Sequence, residues 1–230
     1  MEFLNRKLNK SINLFSVILT LINFTEVMKM VLYFSWFRIL SHLTIWSFIL
    51  SSTYLILTLI TDINFYLFKS TKLEKFNSFL RNHFSQIAYP FCYLITFEFW
   101  FFLFLGLLIA NKNPFTEGNK KITGSFLYDV FYLHFGITII MILHLFVTKR
   151  ENIKISNNTI IANNLILFFY VADVIIWNYV IKRHAYPFMK SAGVGFIIGL
   201  IIFTFVFLNI FHFIHIKVIN AINNKKFKLE

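Results

Sequence analysis

Two polar residues that lie inside apolar stretches of this chain have side chains suited to nucleophilic chemistry on a lipid: Thr44 near the start of one stretch, and His134 inside another. A threonine hydroxyl is a weak nucleophile until a base removes its proton, and an imidazole titrates in the range that suits this task. Asp173, in a third apolar stretch, is a candidate to orient the imidazole and stabilise its charged form, as the carboxylate of a Ser-His-Asp triad does.

The same residues also have ordinary structural interpretations. A threonine in a membrane helix usually hydrogen-bonds its own backbone or a neighbouring helix. An intramembrane histidine is often a satisfied packing residue, and an aspartate can pair with a histidine for structure alone. Residue type and spacing therefore leave both interpretations open for Thr44, His134 and Asp173.

The composition is that of an integral membrane protein. Of 230 residues, 58% are hydrophobic and only 14% are charged, which is too little polar surface for a soluble domain of this length. Long unbroken apolar runs of about 20 residues indicate helices rather than the strands of a barrel. We expect an all-α polytopic membrane protein with one domain, 1–230, and about six transmembrane helices near 12–32, 37–60, 85–110, 125–148, 158–181 and 191–216.

The ends of the first run are the least distinct. Glu26 and Lys29 interrupt it, so two alternatives stay open: a helix over the whole of 12–32, or a helix that ends near Phe24 and continues as an interfacial segment. No small-residue cleavage site follows, and we expect the run to be retained as a helix rather than removed as a signal peptide. The stretch 61–84, rich in lysine and polar residues, is expected to be a loop.

The basic charge of the chain predicts its orientation. The net charge is +12, but the lysines and arginines lie mostly between apolar runs, which favours contact with lipid headgroups and excludes a nucleic-acid partner. With six spans, 14 of the 22 lie on the side of the two termini, so we expect both termini in the cytosol. Lys226 and Lys228 resemble a dilysine retrieval signal, although an ordinary basic tail fits equally, and we expect endoplasmic reticulum or plasma membrane.

Depth in the membrane brings the three candidate residues together. Counted from the outer ends of their spans, Thr44, His134 and Asp173 lie about seven, nine and eight residues in, which at about 1.5 Å per residue is one layer. A tetrahedral intermediate would also need an oxyanion stabiliser. Trp100 and Tyr186 are candidates because they lie toward the same outer side.

The sequence also resembles a known family, that of the androgen-induced gene 1 protein and the androgen-dependent TFPI-regulating protein. The resemblance extends over nearly the whole chain. It rests on the order and spacing of several short motifs, which are Leu43-Thr44, Leu59-Ile60-Thr61-Asp62, Tyr89-Pro90, Phe99-Trp100, Asn113-Pro114, His134, Trp177 and Tyr186-Pro187-Phe188.

The resemblance implies a multi-pass membrane threonine hydrolase that cleaves fatty acid esters of hydroxy fatty acids. The essential threonine and histidine of the family fall on Thr44 and His134, and no cofactor or metal is implied. Arg183, His184 and Ala185 stand where the family usually has a Gly and a Trp, so the pocket wall is expected to differ.

Two other classes of function stay open at this stage. Histidines on neighbouring spans can ligate haem in an electron-transfer protein, and His134, His144, His212 and His215 are the candidates. However, His134 and His144 are ten residues apart, so they point about 80° apart on one helix. In a non-catalytic lipid-binding protein, Thr44 and His134 would merely pack. The number of chains in the assembly is not predicted.

Overall fold

The computed structural model describes residues 15–29, 43–68, 71–110, 131–147, 153–176, 179 and 193–226. The described part contains helices and no strand. We label the helices α1 (15–29), α2 (Leu43–Phe68), α3 (Thr71–Phe79), α4 (Ser85–Ala110), α5 (Ile137–Val147), α6 (Asn157–Ile175) and α7 (Val194–Lys226). Two π-helical turns, Leu80–Phe84 and Tyr132–Gly136, precede α4 and α5 without a break.

Length and composition make this an all-α membrane protein, as the sequence predicts. Among the described residues, three helical segments are long and apolar enough to cross a bilayer, namely Leu43–Asn64, Asn157–Ile175 and Val194–Asn224. Tyr132–Phe146 is a shorter apolar helix. Large apolar side chains remain exposed along these helices, including Phe168, Phe169, Phe196 and Ile202, and such faces suit contact with lipid.

Helix α4 occupies the centre of the bundle and contacts α2, α5, α6 and α7. It contributes to two buried apolar clusters. Tyr89 and Cys92 belong to the first, together with residues of α2, α5 and the π turn before α5. Phe91 and Leu94 belong to the second, which joins the start of α2 to α6 and α7. Side chains on α4 can therefore reach both Thr44 and His134.

The expectation of a loop over 61–84 is wrong. Helix α2 continues to Phe68, and α3 and the first π turn fill most of the remainder. The carboxylate of Asp62 accepts hydrogen bonds from Nη2 of Arg81, 2.6 and 2.7 Å from its two oxygens, and from Nδ2 of Asn77 at 2.8 Å. Charges that indicated a loop instead pair across a helical hairpin.

The first helix favours the longer of the two alternatives. It is helical throughout the described residues 15–29 and so continues past Phe24. Lys29 Nζ donates to Glu26 Oε1 at 2.8 Å, one helical turn away, so the two charges that interrupt the apolar run neutralise each other on the helix.

Candidate active site

The structure brings the hydroxyl of Thr44 and the imidazole of His134 together. Thr44 Oγ1 lies 3.2 Å from His134 Nε2, across two segments that are 90 residues apart in the chain. Both side chains are partly buried, whereas Leu43 and Ile45 on either side of Thr44 are buried in the protein. Two partly exposed polar groups within hydrogen-bond distance have the geometry that a nucleophile and its base require.

His134 lies in the middle of a π-helical turn, Tyr132–Gly136. The turn contains an extra residue, because the N–H of Ile137 donates to the carbonyl of Tyr132 five residues earlier. One extra residue rotates the rest of the helix by about 100° relative to a continuous α-helix. Turns of this kind are frequent at functional sites because they redirect a side chain without ending the helix.

The packing of Tyr132 and Gly136 explains why the helix widens into a π turn at this point. The Tyr132 ring folds along the helix over Gly136, where a Cβ atom would approach its Cδ2 to 2.8 Å. The ring packs edge-on against Phe48 of α2, with centroids 6.3 Å apart, and its hydroxyl donates to Asn23 Oδ1 of α1 at 3.3 Å. A buried tyrosine and the glycine beside it therefore fix the first and last residues of the turn.

Phe99 of α4 covers one face of the His134 imidazole. The two rings are stacked, with centroids 4.2 Å apart and an angle of 29° between their planes. Trp100 packs edge-on against Phe99 and Phe135, at 5.5 and 6.3 Å, and is 45% exposed. Trp100 thus belongs to an aromatic wall around the imidazole. Its role as an oxyanion stabiliser stays a prediction.

Of the other two predicted supporting residues, Asp173 and Tyr186, the structure describes the first. Asp173 lies in the last turn of α6 and is partly buried. Its neighbour Val174 packs in the same cluster as Leu43, so Asp173 and Thr44 share one end of the bundle. Tyr186 lies outside the described residues. The roles of Asp173 and Tyr186 stay predictions.

The histidines of the haem hypothesis contact protein groups in the bundle interior. Tyr89 lies between two of them: its hydroxyl is 3.3 Å from His144 Nδ1, and its ring stacks on His215 with centroids 4.5 Å apart. His212 Nδ1 is 3.1 Å from the carbonyl oxygen of Gln86. Within the described ranges, no group of three or more His, Cys, Asp or Glu side chains has the arrangement of a metal site.

Sequence reasoning missed a polar contact between α4 and the turn that carries His134. Thr96 Oγ1 donates to the main-chain carbonyl of His134 at 2.6 Å, and it lies 2.8 Å from Thr138 Oγ1. Thr138 Oγ1 is also 3.1 Å from the carbonyl of Cys92. Both threonines stand in apolar runs, and this placement is the signal that could have drawn attention to them.

Comparison with known proteins adds one match. The model of the family described as FAR-17a/AIG1-like protein matches residues 12–221, a range that includes Thr44, Thr96 and His134. No curated protein and no solved structure matches the chain.

Proposed function

The chain belongs to the FAR-17a/AIG1-like family, and on this premise we propose that it is an intramembrane lipid ester hydrolase. The match confirms the resemblance seen in the sequence. The proposed substrates are fatty acid esters of hydroxy fatty acids, taken from the bilayer. The observation that carries the proposal is the 3.2 Å contact between Thr44 Oγ1 and His134 Nε2.

In the proposed reaction, Nε2 of His134 removes the proton of the Thr44 hydroxyl while the oxygen attacks the ester carbonyl. The tetrahedral intermediate collapses to an acyl-threonine, and the imidazolium returns its proton to the departing alkoxide, which leaves as the hydroxy fatty acid. A water molecule then gives a proton to His134 and attacks the acyl-threonine. His134 returns this proton to Thr44 Oγ1 as the acyl–oxygen bond breaks, and the second fatty acid is released.

This reaction requires His134 Nε2 to start without a proton, so the neutral imidazole must carry its proton on Nδ1. A partner for that N–H is needed, and Asp173 is the proposed one. Trp100 and Tyr186 are the proposed donors to the oxyanion, which would otherwise lack stabilisation in an apolar site.

The surroundings of the pair support a lipid substrate rather than a water-soluble one. The chain holds 32 phenylalanines, and Phe99 and Phe135 belong to the aromatic wall beside the imidazole. An acyl chain entering sideways from the bilayer would exchange lipid contacts for contacts with aromatic side chains. We further propose that both termini are cytosolic and that the protein resides in the endoplasmic reticulum or plasma membrane.

The proposal is tested with purified protein in detergent, by hydrolysis of a fatty acid ester of a hydroxy fatty acid and by labelling with a lipophilic fluorophosphonate. Thr44→Ala and His134→Ala should each lower hydrolysis by at least about 100-fold, since general base catalysis alone is worth about 10²–10⁴-fold. Thr44→Ala should also abolish labelling.

Matched controls are present on the same chain. Thr58 lies on α2 with Thr44, but it is buried and donates to the carbonyl of Tyr54 at 2.9 Å. His83 is exposed and lies in the π turn that precedes α4. Thr58→Ala and His83→Ala should retain labelling and hydrolysis. Labelling that persists in Thr44→Ala would remove the nucleophile from the proposal, and a folded wild-type protein that binds the ester without cleaving it would indicate a lipid-binding protein.

A further inference from the structure

We propose that Thr96 is a positioning residue for His134, holding the π turn so that the imidazole faces Thr44; this inference rests on the proposed hydrolase function. The carrying observation is the hydrogen bond from Thr96 Oγ1 to the main-chain carbonyl of His134 at 2.6 Å. The bond links α4 to the backbone of the residue proposed as the base. The carbonyl carbon is bonded to the Cα that carries the imidazole, so a shift of the main chain at this point moves the base with it.

The direction of the protons supports this role. A hydroxyl has a single proton, and that of Thr96 is used at the His134 carbonyl. The proton between Thr96 and Thr138, whose oxygens are 2.8 Å apart, must then come from Thr138. The result is a chain from Thr138 to Thr96 to the carbonyl of His134, in which each bond polarises the next. The longer approach of Thr138 to the Cys92 carbonyl, at 3.1 Å, is the weaker alternative for its proton.

The π turn is the reason that such a support is needed. A turn with an extra residue has poorer intrahelical bonding than an α-helix, and it persists only where its surroundings stabilise it. Thr138 lies four residues after His134, on the first turn of α5. The two hydroxyls therefore connect α4 with both the π turn and the helix that begins after it, on either side of Gly136.

The position of Thr96 relative to Phe99 strengthens the argument. The two residues are three apart on α4, so they lie on the same face of that helix. Thr96 holds the main chain of His134, and Phe99 stacks on its ring at 4.2 Å. One face of α4 thus contacts the proposed base at its backbone and at its side chain, which leaves the imidazole edge directed at Thr44.

The test compares Thr96→Val, which has nearly the shape of threonine but no hydroxyl, with Thr96→Ser, which keeps the hydroxyl. We expect kcat for ester hydrolysis to fall about 10–100-fold in Thr96→Val, with KM within about twofold, because a misplacement of about 1 Å can cost 100-fold. Thr96→Ser should recover kcat to within about threefold of wild type. A purely structural threonine would not show this split between kcat and KM together with rescue by serine.

Two further variants complete the design. Thr138→Val removes the donor to Thr96 and leaves the bond from Thr96 to the His134 carbonyl in place, so it should lower kcat by about two- to fivefold. Thr58→Val, on α2, should leave kcat unchanged. Melting temperatures in detergent show which variants are folded, and Thr96→Ala replaces Thr96→Val if the valine variant does not fold. Equal kcat in wild type and Thr96→Val would overturn the inference.

The outcomes separate this inference from the proposed function. If Thr44→Ala loses labelling while Thr96→Val labels and hydrolyses at the wild-type rate, the positioning role alone is wrong. If Thr44→Ala keeps its activity, the proposed nucleophile is wrong, and a role of Thr96 in positioning a base for that nucleophile is overturned with it.

Discussion

The ring of Tyr132 fills the space that a side chain at Gly136 would need. A Cβ on Gly136 would approach Cδ2 of Tyr132 to 2.8 Å, which is closer than real Cβ atoms are found. Tyr132 is buried and hydrogen-bonded to Asn23, so its ring has little freedom to withdraw. The π turn that presents His134 lies between these two residues.

Gly136→Ala should therefore reduce both stability and hydrolysis. Overpacking a tight core typically costs about 1–3 kcal/mol, and here the displaced ring adjoins the turn of the proposed base. We expect a lower melting temperature in detergent and a kcat reduced at least about tenfold.

Gly199→Ala is the matched control for this substitution. It lies on α7, where an added Cβ would have no neighbour within 4 Å. Alanine is the better helix former by about 1 kcal/mol, so Gly199→Ala should leave the melting temperature unchanged or raise it. Similar behaviour of the two alanine variants would show that the contact with Tyr132 is unimportant.

Phe99→Leu tests the stacking of an aromatic ring on the imidazole. In the proposed reaction His134 becomes positively charged, and an aromatic face stabilises a nearby cation by about 0.5–2 kcal/mol. Loss of the ring should lower kcat by about 2–30-fold, while Phe99→Tyr should stay near wild type. Hydrolysis rates of both variants provide the measurement.

Phe97→Leu serves as the control for Phe99→Leu. Phe97 is two residues away on α4, but it stacks on Phe207 of α7, with centroids 4.6 Å apart, rather than on the imidazole. The two variants remove the same volume from the same helix. The interpretation fails if Phe97→Leu lowers kcat as much as Phe99→Leu.

Much of this architecture can be predicted from the sequence, and the exceptions have physical reasons. Apolar runs of membrane length specify α2, α4, α6 and α7 because buried backbone in lipid must bond within its own helix. Residue type, depth and resemblance select Thr44 and His134. The π turn escapes prediction because it depends on the packing of the Tyr132 ring, over Gly136 within the turn and against Phe48 of α2.

The hairpin over 61–84 escapes prediction for a different reason. Pattern reading counts Asp62 and Arg81 as isolated polar residues, although they neutralise each other when the two segments pack together. Pairing at a distance of 19 residues has no signature in local composition.

Asp62→Asn should lower the free energy of unfolding without changing kcat for ester hydrolysis. The Asp62 and Arg81 side chains are 18% and 15% exposed, and the two carboxylate oxygens both accept from Arg81. Such a pair is worth more than an exposed one, and its loss should cost about 1–3 kcal/mol. Asp62 is 18 residues along α2 from Thr44, about 27 Å at 1.5 Å per residue, so kcat of the folded fraction should not change.

The measurement for this pair is melting temperature together with hydrolysis rate per folded protein. Asn77→Ala removes one donor to Asp62 and the acceptor of Arg81 Nε, but it keeps the ion pair, so it should destabilise less than Asp62→Asn. A fall in the rate per folded protein in Asp62→Asn would contradict the separation of this hairpin from the site.

The proline in α4 leaves a main-chain carbonyl without its helical donor, and side chains of two other helices bond to it. Pro90 has no N–H, so the carbonyl of Gln86, four residues earlier, lacks its helical donor. Asn163 Nδ2 of α6 donates to this oxygen at 3.0 Å, and His212 Nδ1 of α7 lies 3.1 Å from the same oxygen. The Tyr89-Pro90 motif thus sets the place where α6 and α7 attach to the central helix.

A double-mutant cycle between Pro90 and Asn163 tests this dependence. Asn163→Leu in the wild-type background leaves a buried carbonyl with one donor fewer and should destabilise the protein by about 1–3 kcal/mol. Pro90→Ala restores an N–H that can bond the Gln86 carbonyl within α4. The cost of Asn163→Leu should then be smaller by at least about 0.5 kcal/mol, which is the coupling expected of residues sharing a partner.

Asn164→Leu supplies the comparison for this cycle. Asn164 is the next residue on α6, and its amide pairs with that of Asn209 on α7 at 3.2 and 3.0 Å instead of with Gln86. Its substitution should cost the same free energy of unfolding whether residue 90 is proline or alanine. Unfolding is followed by circular dichroism in detergent. Equal coupling of Asn163 and Asn164 to Pro90 would show that the missing N–H of the proline is not what ties α6 to α4.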